Sequence, residues 1–163
     1  MLRVDQAGEY GATRIYAGQL AVLRANCPEA KLISRMAAQE QQHLSRFDEL
    51  IAERRVRPTA LQPLWNVAGF MLGAATALMS EKAALACTDA IETEIDRHYG
   101  RQLEELGDGD PELAADIADF RADELEHRDT ARAAGATSAP GYPLLTAAIR
   151  AGCKVAIELS KRL

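Results

Sequence analysis

The sequence predicts an all-α bundle, on three observations. No window alternates apolar and polar residues with a period of two, so no strand is expected. Ala and Leu are abundant, aromatics make up only 5% and the β-branched share is modest, a composition that favours packed helices. Pro, Gly and Asn cut the chain into six stretches, and within them apolar residues recur every three or four positions.

The first helix is expected over about residues 4–25, where Asn26-Cys27-Pro28 interrupts it. The second, about 29–55, carries the stripe Ile33, Met36, Glu40, His43, Phe47, Leu50. Pro58 and Pro63 bracket the start of a third segment that reaches about residue 79. The fourth runs over about 80–106 and is stopped by Gly107-Asp108-Gly109. Asp110-Pro111-Glu112 combines an N-cap acid with Pro at the first helical position. It opens a fifth helix, with the stripe Leu113, Ile117, Phe120, Glu124, His127, Ala131, that ends near Gly135. Ala139-Pro140-Gly141 is a turn, and a sixth helix occupies 141–163.

A chain of 163 residues is sized for one domain, expected over 1–163, with a core that needs no disulfide or structural zinc. The net charge of -5 argues against nucleic acid as a partner. Cys27, Cys87 and Cys153 are an odd number without a C-x-x-C pair, which suits a reducing compartment and small core or surface roles. The opening MLRVDQAGEYGA has neither a basic-then-apolar signal nor an Arg-rich presequence. The expectation is a protein made where it works, or a leader lying outside this sequence.

A weak repeat relates 1–56 to 80–135. Glu9 precedes Tyr16 by seven residues, and Glu92 precedes Tyr99 by seven. Glu40 follows Glu9 by 31 residues, Glu124 follows Glu92 by 32, and each of the two later glutamates has His three residues on. Glu and His at i and i+3 share a helix face, and here both pairs stand in the middle of an apolar stripe. An unpaired carboxylate in a core costs several kcal/mol or forces protonation, so two such insertions at matching places need a reason. A pair of metal ions supplies one. Two Glu-x-x-His pairs plus one Glu from each of two other helices make the di-iron or di-manganese site of ferritin-like bundles. Four glutamates also balance two divalent cations. The predicted ligands are Glu9, Glu40, His43, Glu92, Glu124 and His127. The predicted fold is a ferritin-like four-helix bundle with a long apolar crossover helix (58–80) and an additional C-terminal helix (141–163). A lone Glu-x-x-His is usually a surface pair; two on core seams are far more specific.

The fourth segment offers two carboxylates. Glu92 shares a stripe with Leu85, Ile95, Tyr99 and Leu106, whereas Glu94 shares one with Cys87, His98 and Arg101 and reads as solvated. The repeat favours Glu92. His98 lies outside any Glu-x-x-His and reads equally as a functional histidine or as one at the surface or supporting the ligands from behind. Tyr16 and Tyr99 read first as core packing, and beside an oxygen-activating metal Tyr99 could donate a hydrogen bond or a proton.

The stretches RVDQAGEYGATRIYAGQ, RVRPTALQPLWNVAGFMLGAATALM, CTDAIETEIDRHY, ADELEHRD and IRAGCKVAIELSKRL closely resemble the 5-demethoxyubiquinone hydroxylases, across nearly the whole chain. The resemblance implies a di-iron monooxygenase of ubiquinone biosynthesis. Its ligands fall on the six residues found by spacing, and a His-Tyr pair near the site falls on His98 and Tyr99. It implies O2 as co-substrate and hydroxylation of an open ring carbon of a polyprenylated methoxy-benzoquinol. Electrons are expected from an external donor, from NADH without a recognisable fold, or through the quinone itself, and the resemblance implies that NADH is accepted. It leaves room for another quinone-biosynthesis protein, or a second copy of this chain, as a partner. The sequence has no G-x-G-x-x-G after a strand and no Walker motif. The rival readings are a ferroxidase or rubrerythrin-like peroxidase on the same scaffold, and a non-enzymatic quinone- or lipid-binding protein. The first would favour a four-cysteine module or cage surface, and the second has no use for six ligands.

Residues 58–80 contain no charge, long enough for a membrane span. A span there would put the two halves of the site on opposite sides of a bilayer, so a crossover helix lying in the interface is expected instead. Trp65, Phe70, Met71, Leu72 and Leu78 are its candidate substrate- or membrane-facing residues. In the last helix Leu145, Ile149, Gly152, Ala156 and Leu159 form one apolar face, with Arg150, Lys154, Lys161 and Arg162 available for headgroups. The expected location is peripheral, on the inner face of a bacterial cytoplasmic membrane or the matrix side of the mitochondrial inner membrane.

Overall fold

The computed structural model describes residues 1–163 as six α-helices with no strand. α1 spans Leu2–Val22, α2 Pro28–Glu53, α3 Gln62–Met79, α4 Glu81–Leu106, α5 Pro111–Ala133 and α6 Tyr142–Arg162, with a 3-10 turn at Ala136–Ser138. Local chemistry sets the starts. The Cys27 sulfur accepts the Ala30 N–H at 3.3 Å, the Ser80 hydroxyl the Ala83 N–H at 3.0 Å and the Asp110 carboxylate the Leu113 N–H at 3.2 Å. Proline stands in the first turn of α2, α3, α5 and α6. Gly107 and Gly135 follow α4 and α5 with φ of +49° and +100°, a conformation that side chains disfavour.

Two boundaries differ from the sequence expectation. α1 ends at Val22 rather than near residue 25, because Leu23 turns extended and buries its side chain. α3 starts at Gln62 rather than 58. The intervening residues form a turn in which the Thr59 hydroxyl accepts the Leu61 N–H at 3.2 Å, and the Ala60 N–H reaches the Leu163 carbonyl at 3.1 Å.

α1 packs on α2 and α4 on α5, while α3 lies along α1 and α6 along α4. The bundle core has two main apolar clusters. One holds Tyr16, Ile33, Met36 and Leu85; the other holds Phe47, Leu50, Tyr99, Leu113 and Ile117. Burying each large side chain contributes about 1.5–3 kcal/mol. The polar turns of α2, α4 and α5 fall between these clusters, so the apolar core clamps them from both ends.

α3 meets α1 backbone to backbone. A Cβ on Gly73 would lie 1.9 Å from the Ile15 carbonyl oxygen, and one on Gly18 would lie 2.1 Å from that of Phe70. α6 is attached through side chains instead. Arg150 reaches Glu94 at 2.7 Å, the Trp65 indole N–H donates to Ser160 at 3.1 Å and the Tyr142 hydroxyl donates to Asp89. No helix is long and apolar enough to cross a membrane.

Candidate metal centre

The bundle brings all six predicted residues together: Glu9 from α1, Glu40 and His43 from α2, Glu92 from α4, Glu124 and His127 from α5. None is more than 2% exposed. They form two overlapping groups, Glu9-Glu40-His43-Glu124 and Glu40-Glu92-Glu124-His127, each with one donor atom per residue within 4.8 Å of the others. Glu40 and Glu124 belong to both.

The two halves cross-brace one another. The His43 Nε2–H on α2 donates to Asp123 on α5 at 3.0 Å, and the His127 Nε2–H on α5 donates to Gln39 on α2 at 3.0 Å. Each bond turns the opposite nitrogen, Nδ1, inward: His43 Nδ1 lies 3.2 Å from Glu124, and His127 Nδ1 lies 3.2 Å from Glu40. The tyrosines cross in the same way. The Tyr16 hydroxyl donates to Glu92 at 2.5 Å and the Tyr99 hydroxyl donates to Glu9.

Inside this frame, both oxygens of Glu40 and Glu124, Oε2 of Glu9 and Glu92, and Nδ1 of both histidines are buried without a well-formed hydrogen bond. Native interiors rarely leave such atoms unmatched. A set of carboxylate and imidazole lone pairs converging from four helices fits divalent cations, and the backing of each imidazole by Asp123 or Gln39 is what a metal-bound histidine requires.

Burial, reinforced by the neighbouring carboxylates, pushes Glu40, Glu92 and Glu124 above the usual carboxylate range. At His43 burial pulls the other way, but the Glu124 and Glu9 carboxylates win and raise it to about 10. Burial lowers His127. Raised groups stabilise the metal-free fold below their unfolded pKa and lose that contribution as pH rises through the folded one. Three carboxylates and His43 act in this sense, and His127 alone acts in the opposite one. The metal-free protein should therefore melt at a lower temperature at pH 8 than at pH 5.5, while the stabilisation gained from added divalent metal grows over the same range. Thermal melts with and without metal check this; a metal-free melting temperature that rises with pH would contradict it.

Glu94 departs from its expected solvated state. It is 2% exposed, because α6 covers that side of α4 and brings Arg150 to 2.7 Å, with Arg97 at 3.0 Å. His98 is also no open surface residue; its Nε2 meets Asp5 at 2.8 Å. Cys27, Cys87 and Cys153 are free thiols.

A cavity of about 550 Å³ adjoins the centre, enclosed by α1, α3, α4 and α6. Glu9, His98 and Tyr99 stand on its wall, together with Trp65, Leu72, Ile95 and Ile157. Trp65 and Leu72 thus face inward, and Phe70 is half-buried with Arg14 at 5.5 Å over its ring. Met71 and Leu78 point outward, 59% and 75% exposed. The face of α6 read as lipid-facing is corrected likewise: Leu145, Ile149, Gly152 and Ala156 line the cavity, because their side of the helix is turned towards α1 and α4. The outward apolar residues of α6 are Leu144, Val155 and Leu159, and Arg150 is committed to Glu94.

Asp123, Gln39, Asp5 and Gln102 went unread in the sequence. A signal for the first two was there: each immediately precedes the Glu of a Glu-x-x-His, at matching points of the repeat.

Fold and centre together define a ferritin-like bundle protein with a buried carboxylate–histidine site suited to metal. Residues 1–160 match the family model of Ubiquinone biosynthesis protein COQ7. The chain is 58% identical over 161 residues to the 3-demethoxyubiquinol 3-hydroxylase of Rhodospirillum rubrum, covering 99% of this chain and 76% of that protein. It is 51% identical over 167 residues to the mitochondrial NADPH-dependent 3-demethoxyubiquinone 3-hydroxylase of Homo sapiens, covering 100% and 76%. With the mitochondrial 5-demethoxyubiquinone hydroxylase of Saccharomyces cerevisiae it shares 42% identity over 179 residues, covering 100% and 77%. This chain belongs to the ubiquinone biosynthesis protein COQ7 family.

Proposed function

We infer that the protein is a hydroxylase of ubiquinone biosynthesis that acts on the ring of a polyprenylated demethoxy-benzoquinol, with two iron ions held by Glu9, Glu40, His43, Glu92, Glu124 and His127. Family membership carries the reaction class and sets aside the ferroxidase and non-enzymatic readings. The observation that carries the site is the cavity, which is apolar along α3 and α6 and ends on Glu9, His98 and Tyr99. Its size suits a quinone ring with the first part of its tail.

When bound, iron supplies the reductive activation of O2 that ring hydroxylation needs. The chain's own residues do the rest. Glu40 and Glu124, which belong to both groups, would serve both ions. Asp123 and Gln39 hold the imidazoles in register. The apolar walls exclude water and align the ring. Tyr99 holds its proton, since burial and then the Glu9 carboxylate raise it well above the ordinary phenol value. It therefore remains the donor to Glu9 at the inner end of the cavity. The reductant is external, a nicotinamide such as NADH.

A peripheral membrane position follows from where the cavity opens. Its mouth lies between α3 and α6, where Ala68, Ala148 and Gly152 are exposed. The same two helices expose Leu64, Val67 and Met71 of α3 and Val155 of α6, with Lys154 next to Val155 in the chain. An apolar rim suits a lipid surface, which is where a polyprenyl tail resides.

The test is to load the protein anaerobically with Fe(II), then supply O2, reductant and demethoxyubiquinol, and to weigh the product. Labelled O2 should place one labelled oxygen on the ring. Label arriving from water, or no product at all, sinks the reading.

A further inference from the structure

His98 stands on the cavity wall beside Tyr99, with ring centroids 5.9 Å apart. Its one hydrogen bond within the chain runs from Nε2 to Asp5 Oδ1, at 2.8 Å. Asp5 is itself 2% exposed, and its second oxygen accepts the Gln102 side-chain N–H at 2.8 Å. A buried carboxylate backing an imidazole from the first turn of a neighbouring helix needs a purpose. Neither Asp5 nor Gln102 belongs to the carboxylate–histidine centre, and a carboxylate this dry costs several kcal/mol unless its partners justify it.

We propose that Asp5 is a positioning residue for the reaction: it fixes His98 with Nε2 protonated, leaving the Nδ1 lone pair to take the proton of a quinol hydroxyl in the cavity. The inference rests on the quinol substrate proposed above. In the step the quinol O–H bond breaks and an Nδ1–H bond forms. A phenolate and an imidazolium appear together, no electrons change hands, and Asp5 stabilises the imidazolium without taking a proton, as the acid of a catalytic triad does. The phenolate makes the open ring carbon more nucleophilic, which is what hydroxylation of that carbon requires. Gln102 holds the carboxylate in plane by occupying its other oxygen.

Asp5→Asn keeps the shape and removes the charge. It should lower kcat on a short-chain quinol on the order of 10- to 100-fold, with KM within about twofold and the metal content unchanged. His98→Gln should cost as much, and the double variant should cost no more than either single one, because the two residues act as one unit. Loss of metal along with activity would make Asp5 a support for α1 and overturn the proposal. So would losses that add in the double variant, or an unaltered kcat. Nitrogen NMR of the Zn(II)-loaded wild-type protein reads the tautomer without turnover, with His98→Gln assigning the signal. An Nε2 carrying the proton is expected, and an unprotonated Nε2 overturns the proposal even if Asp5→Asn fails to fold. Should wild-type protein show no hydroxylation while the tautomer is as expected, the functional reading fails and the Asp5–His98 pairing stands apart from it.

Discussion

Glu40→Ala and Glu124→Ala are each expected to strip both metals and to reduce hydroxylation by roughly 100-fold or more. The argument is one of shared ligands. Each of these carboxylates belongs to both four-residue groups, whereas Glu9 and His43 serve only one group, and Glu92 and His127 only the other. Removing a shared carboxylate also removes half of the negative charge common to the two cations. Glu9→Ala and Glu92→Ala should each weaken one position more than the other and leave a partial complement. Glu94→Ala should keep the full complement and lose stability instead, because Arg150 is left without its buried partner. Metal per chain after reconstitution, measured beside a thermal melt, separates the three classes. A full complement in Glu40→Ala would overturn the shared-ligand assignment, and metal loss from Glu94→Ala with Glu92→Ala unaffected would overturn the ligand chosen on α4.

Placing a charge on the outward face of α3 should detach the protein from lipid while leaving its metal in place. Met71 and Leu78 are the residues to change, because they are exposed and take no part in the cavity wall. Phe70 and Leu72 are poorer tests: the first is covered by Arg14 and the second lines the cavity. A carboxylate at mid-bilayer costs roughly 2.5–3.5 kcal/mol and less near the interface. Met71→Glu or Leu78→Glu should therefore weaken vesicle binding by about 1–2 kcal/mol, or roughly 5- to 30-fold. Turnover of a long-chain quinol should fall with it, and turnover of a short, water-soluble analogue should not. Sedimentation with anionic vesicles and parallel assays measure both. Unchanged sedimentation would refute the membrane assignment, and loss of metal would mean that this face supports the bundle.

The helices and the six clustered residues were legible because both follow from periodicity. A Glu-x-x-His in an apolar stripe is visible in one dimension, and its repetition makes accident improbable. What stayed illegible depended on the two helices outside the bundle. Glu94 read as solvated because nothing in its own helix announces that Arg150, 56 residues away, will cover it. The last helix carries apolar residues on more than one side, so its cavity face and its outer face were confused. Asp5 lies in the same first turns as Glu9, but its partner His98 is 93 residues distant, and only the packing of α1 against α4 joins them.

The glycine contact between α1 and α3 makes the two jaws of the cavity unequal. Main chain touches main chain at Gly18 and Gly73, so there is no rotamer whose rearrangement could let α3 yield. On the opposite side, α6 is fastened by an arginine, a tyrosine and a tryptophan, each able to swing about several bonds. Widening the slot at the α3 jaw would break a packed backbone crossing, whereas widening it at the α6 jaw would release side-chain contacts: the Arg150 and Lys154 ion pairs with Glu94, two hydrogen bonds and the apolar packing of Ile149. Glu9 is carried by the helix of the fixed jaw, so a bulky ring entering from the other side leaves that carboxylate in register with its five companions.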